Sequence, residues 1–126
     1  MSSFYEIIGG MAVIEKLVDD FYFIMSTDPA AKECFKTHEG RDIGESAEKL
    51  KLFLSGWLGG PQLYLEKHGH PRLRMRHAPF VISQKEAEQW FYCMNLAFQK
   101  SKISPEIHNK IMDSLEGVAL MLRNST

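Results

Sequence analysis

An all-α domain is the fold that this chain of 126 residues predicts, and three observations lead there. Apolar side chains recur at steps of three and four in several segments, the spacing of one helical face. No segment alternates apolar and polar residues over a length useful for a strand. Start and stop signals (proline, glycine, Ser-x-x-Glu) fall at the ends of the periodic segments.

Phe4–Ile8 reads as a short apolar turn, set off by Gly9-Gly10. Residues 11–26 carry Ile14, Leu17, Val18, Phe21, Tyr22 and Met25 on one helical face. Asp28-Pro29 ends that helix, because proline disfavours helix for the residue before it. A brief helical piece over 30–35 follows, then a polar, turn-like stretch over 37–44 with Gly40 and Gly44. The next helix runs roughly 45–58, with Leu50, Phe53, Leu54 and Trp57 inward, and Gly59-Gly60-Pro61 stops it.

From 61 to 82 the breakers Pro61, Gly69, Pro71 and Pro79 leave room for a turn or two of helix around Leu73–His77 and no more. Ser83-Gln84-Lys85-Glu86 has the capping-box pattern and opens a helix lined by Ala87, Trp90, Phe91, Met94, Ala97 and Phe98. Ser104-Pro105 opens the last, with proline where its missing N–H does no harm, and Ile107, Ile111, Leu115, Val118 and Leu122 on its face. The expectation is one domain over 1–126, with four principal helices and one irregular stretch.

Composition narrows the function classes. At 44% hydrophobic and 25% charged, the chain reads as ordinary soluble protein, and a net charge of −1 supplies no field for nucleic acid or anionic membrane. No apolar run approaches the roughly 20 residues that cross a bilayer, and the start lacks a secretory pattern, so the expected location is cytoplasmic. Cys34 and Cys93 make no CxxC or metal spacing and are expected as reduced thiols in that compartment. Aromatics at 11% suit either a tight core or a flat ligand.

The irregular stretch carries the chemistry. Loops of that length in small domains are usually functional, and this one holds His68, His70 and His77 with a run of cations. In Pro71-Arg72-Leu73-Arg74-Met75-Arg76-His77-Ala78-Pro79-Phe80, arginines alternate with apolar residues and lead into a histidine. A solvated loop, a phosphate-binding run and a ligand site all fit that pattern. No carboxylate or cysteine sits at a spacing that would turn His68-Gly69-His70 into a zinc site. A haem needs apolar walls, an imidazole for its iron and cations for its propionates, and all three partner types are present. Spacing alone leaves three histidines in competition.

The block Gly59-Gly60-Pro61, then Gly69-His70-Pro71 through His77-Ala78-Pro79-Phe80, with Trp90 thirteen residues after His77 and Cys93-Met94 beyond, resembles the truncated haemoglobins. The likeness is to the second group of these two-over-two globins. Phe21-Tyr22 and Gly9-Gly10 match as well, and the similarity covers nearly the whole chain.

The resemblance implies haem b, with His77 as the proximal iron ligand and Tyr22 and Trp90 on the distal side. Trp offers an N–H donor and Tyr an O–H donor. A hydrogen bond to a charged acceptor is worth about 1.5–3 kcal/mol, so each donor would slow oxygen release roughly ten- to a hundredfold. Phe35 falls where many relatives carry Tyr or His, so a third donor is missing at that position. Ser46 aligns with the helix position facing the ligand, with Leu50 one turn on. Arg72, Arg74 and Arg76, then Tyr64 and Lys67, are the candidates for the propionates. Phe53, Trp57, Phe80, Ile82 and Met94 are candidates for the pocket walls.

The implied function is reversible binding of oxygen and other diatomics (nitric oxide, carbon monoxide) at a ferrous iron, with tight oxygen retention. Oxygen transport belongs to the same class, although tight retention disfavours a bulk carrier. The alternative is a redox enzyme that detoxifies nitric oxide, peroxide or peroxynitrite with a reductase as partner.

Overall fold

The computed structural model describes residues 3–77 and 82–123, and among these it is helical with no strand. The helices are α1 (Phe4–Ile8), α2 (Met11–Thr27), α3 (Lys32–Lys36), α4 (Ile43–Trp57), α5 (Leu63–His68), α6 (Leu73–His77), α7 (Gln84–Lys100) and α8 (Pro105–Met121). A 3-10 turn at Pro29–Ala31 joins α2 to α3. The four long ones, α2, α4, α7 and α8, are the four that the periodicity picks out.

Helix α2 is the hub, packing on α7 and α4, while α7 also receives α3 and α8. The dry core follows from the expected faces. Ile14, Leu17, Val18 and Phe21 of α2 meet Leu54 of α4, Met94, Ala97 and Phe98 of α7, and Ile111 and Leu115 of α8, all buried. His108 is buried on α8, where its Nε2 lies 2.6 Å from Asn95 Oδ1 and ties α8 to α7.

Local signals set the ends of the helices. Asp28 accepts from the Ala30 N–H at 2.9 Å and starts the 3-10 turn, and its other oxygen accepts from the Tyr92 hydroxyl at 2.6 Å. The Ser83–Glu86 capping box forms as expected, with the Ser83 N–H donating to Glu86 Oε1 at 3.2 Å. Gly59 closes α4 at φ +92°, and Gly60 lies against Tyr5, where a Cβ would meet the ring at 2.4 Å. That contact explains why the Gly59-Gly60 pair is needed.

Two expectations need correction. Helix α4 begins at Ile43 rather than 45, because Asp42 caps it by accepting from the Glu45 N–H at 3.3 Å. The stretch over 61–82 holds a second short helix, α5, besides the expected turns of α6. Pro61 and Gly69 lie outside α5 as its boundaries and do not interrupt it. Tyr64, buried on α5, and the Gln62 side chain, donating to the Gly56 carbonyl at 3.2 Å, hold this segment against α4.

Candidate functional site

Gly69 (φ +77°) ends α5, and Arg72 sits in the left-handed region at φ +46° immediately before α6. A non-glycine residue held there stores backbone strain of order 1–3 kcal/mol, the kind found where a loop must aim a side chain. The Arg72 N–H donates to His70 Nδ1 at 3.1 Å, so His70 is engaged in shaping the turn and is itself exposed. Five residues on, at the end of α6, the half-buried His77 places Nδ1 2.6 Å from the Leu73 carbonyl oxygen. A carbonyl only accepts, so the proton is on Nδ1 and the lone pair on Nε2. That is the tautomer of an imidazole whose Nε2 binds a metal, with the backbone carbonyl orienting the ring.

The other histidines are occupied differently. His68 packs its ring 4.9 Å from that of Tyr64, and His108 is bound to Asn95 in the core. His38, which the sequence reading passed over as part of a polar turn, is half-buried with its ring 5.5 Å from the Tyr22 ring, edge to face. Burial holds His38 below the ordinary imidazole value. Repulsion from His77 and Arg41 adds to this, and a bond to the Cys34 backbone opposes it. The signal in the sequence was weak: one histidine three residues beyond Phe35.

Tyr22 and Trp90 come from different helices and meet on one residue. The Phe21 ring lies 4.9 Å from Tyr22 and 5.6 Å from Trp90, edge-on to both. Burial pushes the Tyr22 phenol far above its ordinary value, with Cys34 adding to the shift. The hydroxyl thus keeps its proton throughout the physiological range and remains a donor.

Phe35, Leu50, Phe53, Trp57, Tyr22 and Trp90 all pack on the core yet stay partly open. They come from α2, α3, α4 and α7, and large apolar side chains that stay partly open are the kind that can wall an apolar pocket. Ser46 is half-buried in the first turns of α4, one turn before Leu50. Met94 is fully buried and Ile82 nearly so, which makes Met94 part of the dry core. Among the propionate candidates, Arg72 and Lys67 are exposed and Tyr64 is buried. The side chains of Arg74 and Arg76, and Phe80, lie outside the described residues.

Short α3 is held to α7 by a relay. The Cys34 N–H donates to Gln89 Oε1 at 2.8 Å, Gln89 Nε2 donates to Glu33 at 2.7 Å, and Lys85 pairs with Glu33 at 3.3 Å. These bonds fix the segment that carries Phe35 and His38. Cys34 and Cys93 are buried free thiols, and burial raises them to about 12 and about 11.

Residues 3–124 match the family described as bacterial-like globin. The chain belongs to that family. It is 40% identical over 122 residues to the group 2 truncated hemoglobin YjbI of Bacillus subtilis, covering 97% of this chain and 89% of that protein. Among solved structures, it superposes on the cold-adapted truncated hemoglobin of Pseudoalteromonas haloplanktis TAC125 with a TM-score of 0.94. That pair is 38% identical, with 99% of this chain and 100% of the other covered. The group II 2-on-2 hemoglobin of Agrobacterium tumefaciens gives a TM-score of 0.95 at 35% identity, with 100% and 97% covered. The fold is thus the truncated two-over-two globin, and globins bind gaseous ligands through a haem. The donor set of this globin fits that group. It combines an imidazole oriented by a backbone carbonyl, large apolar side chains that are only partly buried, and two ring donors, Tyr22 and Trp90.

Proposed function

We propose that this globin binds haem b through His77 and holds oxygen tightly with Tyr22 and Trp90. The observation that carries the reading is the His77–Leu73 bond, which readies Nε2 on α6. When bound, a haem supplies an iron that takes up a diatomic gas. Leu73 orients the imidazole and holds a proton on Nδ1, which leaves Nε2 as the ligating nitrogen. Tyr22 keeps its O–H because burial disfavours the phenolate, and it donates toward negative charge on the gas. Trp90 contributes its indole N–H from α7. Phe21 wedges the two rings apart and fixes their directions. Phe35, Leu50 and Phe53 wall the ring, Ser46 leaves a small polar opening, and Arg72, Arg74 and Arg76 are the cations for the propionates, with Tyr64 in support.

The test is titration of the haem-free protein with haemin. Uptake of one equivalent with an intense Soret band, lost on His77→Ala, supports the reading. A protein that stays colourless refutes it.

A second reading, removal of nitric oxide or peroxide with an external reductase, is favoured by one observation. Tyr22 and Trp90 are oxidisable rings that share contact with Phe21. Steady-state turnover with a reductant supports it, whereas a single stoichiometric reaction supports gas binding.

A further inference from the structure

Three residues beyond Phe35, the half-buried His38 packs its ring on Tyr22. The Thr37 hydroxyl donates to the Cys34 carbonyl at 2.7 Å, and its oxygen lies 3.2 Å from His38 Nδ1. With its proton committed to the carbonyl, Oγ1 accepts, so the proton of the neutral imidazole is on Nδ1 and the lone pair on Nε2. His38 and His77 therefore have the same tautomer, each set by a local oxygen acceptor. His38 lies edge to face on Tyr22, a residue of α2, whereas His77 ends α6. His38 also stands in the turn beyond α3, where its N–H donates to the Phe35 carbonyl and its carbonyl accepts from the Arg41 N–H, both at 3.0 Å.

We propose that His38 is a second axial ligand, which takes the sixth position of the haem iron from the Tyr22 side when no gas is bound. This rests on the haem reading above. Nε2 gives its lone pair to the iron and takes it back when a gas displaces it. No proton or electron changes hands. Tyr22 then meets the gas only after His38 has moved aside, which makes His38 a gate on entry as well as a ligand.

The experiment uses the full chain loaded with haem, in the ferric state and as the ferrous carbon monoxide complex. Absorption and electron paramagnetic resonance spectra are recorded for the unaltered protein and for His38→Ala, His38→Gln and Tyr22→Phe. The expected result is a low-spin bis-imidazole spectrum for the unaltered protein and Tyr22→Phe, and a high-spin spectrum for both His38 variants. Carbon monoxide association should be about tenfold faster in the His38 variants if His38 is bound nine-tenths of the time. Glutamine keeps the size and polarity of the side chain without the ligating nitrogen, so agreement between the two variants separates ligation from packing. A high-spin spectrum in the unaltered protein, or one that His38→Ala and His38→Gln leave unchanged, overturns the assignment while leaving His77 standing. A low-spin spectrum lost only in Tyr22→Phe also overturns it. Failure to take up haem at all overturns both this assignment and the proposed function.

Discussion

The Nδ1 of His77 lies 2.6 Å from the carbonyl oxygen of Leu73, one turn back along the same short helix. His70, in the turn before that helix, instead uses Nδ1 to accept the Arg72 N–H. The two Nδ1 atoms thus differ: that of His77 faces an acceptor and that of His70 accepts from a donor. We expect His77→Ala to lose the imidazole-ligated ferrous spectrum and His70→Ala to keep it. Absorption spectra of the two reconstituted variants decide the matter, and normal ligation in His77→Ala would refute the assignment.

The distal donors are expected to act on release. Tyr22→Phe and Trp90→Phe each remove one donor while keeping the ring, so packing against Phe21 is preserved. Each should speed oxygen dissociation roughly ten- to a hundredfold, the equivalent of about 1.5–3 kcal/mol for a hydrogen bond to a charged acceptor. Stopped-flow displacement of oxygen by carbon monoxide measures it. Off-rates within about twofold of the unaltered protein for both variants would sink the donor role.

Phe21 is fully buried and packs edge-on against the rings of both Tyr22 and Trp90. Phe21→Ala leaves a cavity in the α2–α7 interface and should cost about 3–5 kcal/mol, read as a lower midpoint in urea. The same variant should also blur the distal pocket, broadening the carbon–oxygen stretch of bound carbon monoxide. Phe21→Leu, closer in volume, should lose less stability and still broaden the band.

The relay that pins α3 to α7 has a pH signature. Hydrogen bonds from Gln89, then from its own backbone N–H and from Lys85, hold the Glu33 carboxylate down to about 2, against an ordinary value of 4.5. A depressed carboxylate contributes stability that is whole above the ordinary value and fades as pH falls toward the folded one. Stability of the unaltered protein and of Glu33→Gln should therefore differ most above pH 4.5 and converge toward pH 2. Urea midpoints at several pH values test this, and a constant gap would count against the relay. Because Glu33 is at the surface, the gap should shrink with added salt.

Periodicity and punctuation along the chain were enough to determine the four long helices, their inward faces and the capping box at Ser83, because each depends on residues within a turn or two. Through its resemblance, the block ending in His77-Ala78-Pro79-Phe80 and its distance to Trp90 also placed the chain among the truncated globins and made His77 the proposed ligand. Helix α5 escaped that reading because breakers at its two ends look the same, locally, as breakers within it. Packing of Tyr64 and Gln62 against α4 decided the matter. The contact between His38 and Tyr22 likewise joins residues sixteen apart on different segments. No local pattern encodes it. Only the fold brings that polar turn against α2, and only the hydrogen-bond network of Cys34, Thr37 and His38 settles which ring nitrogen carries the proton.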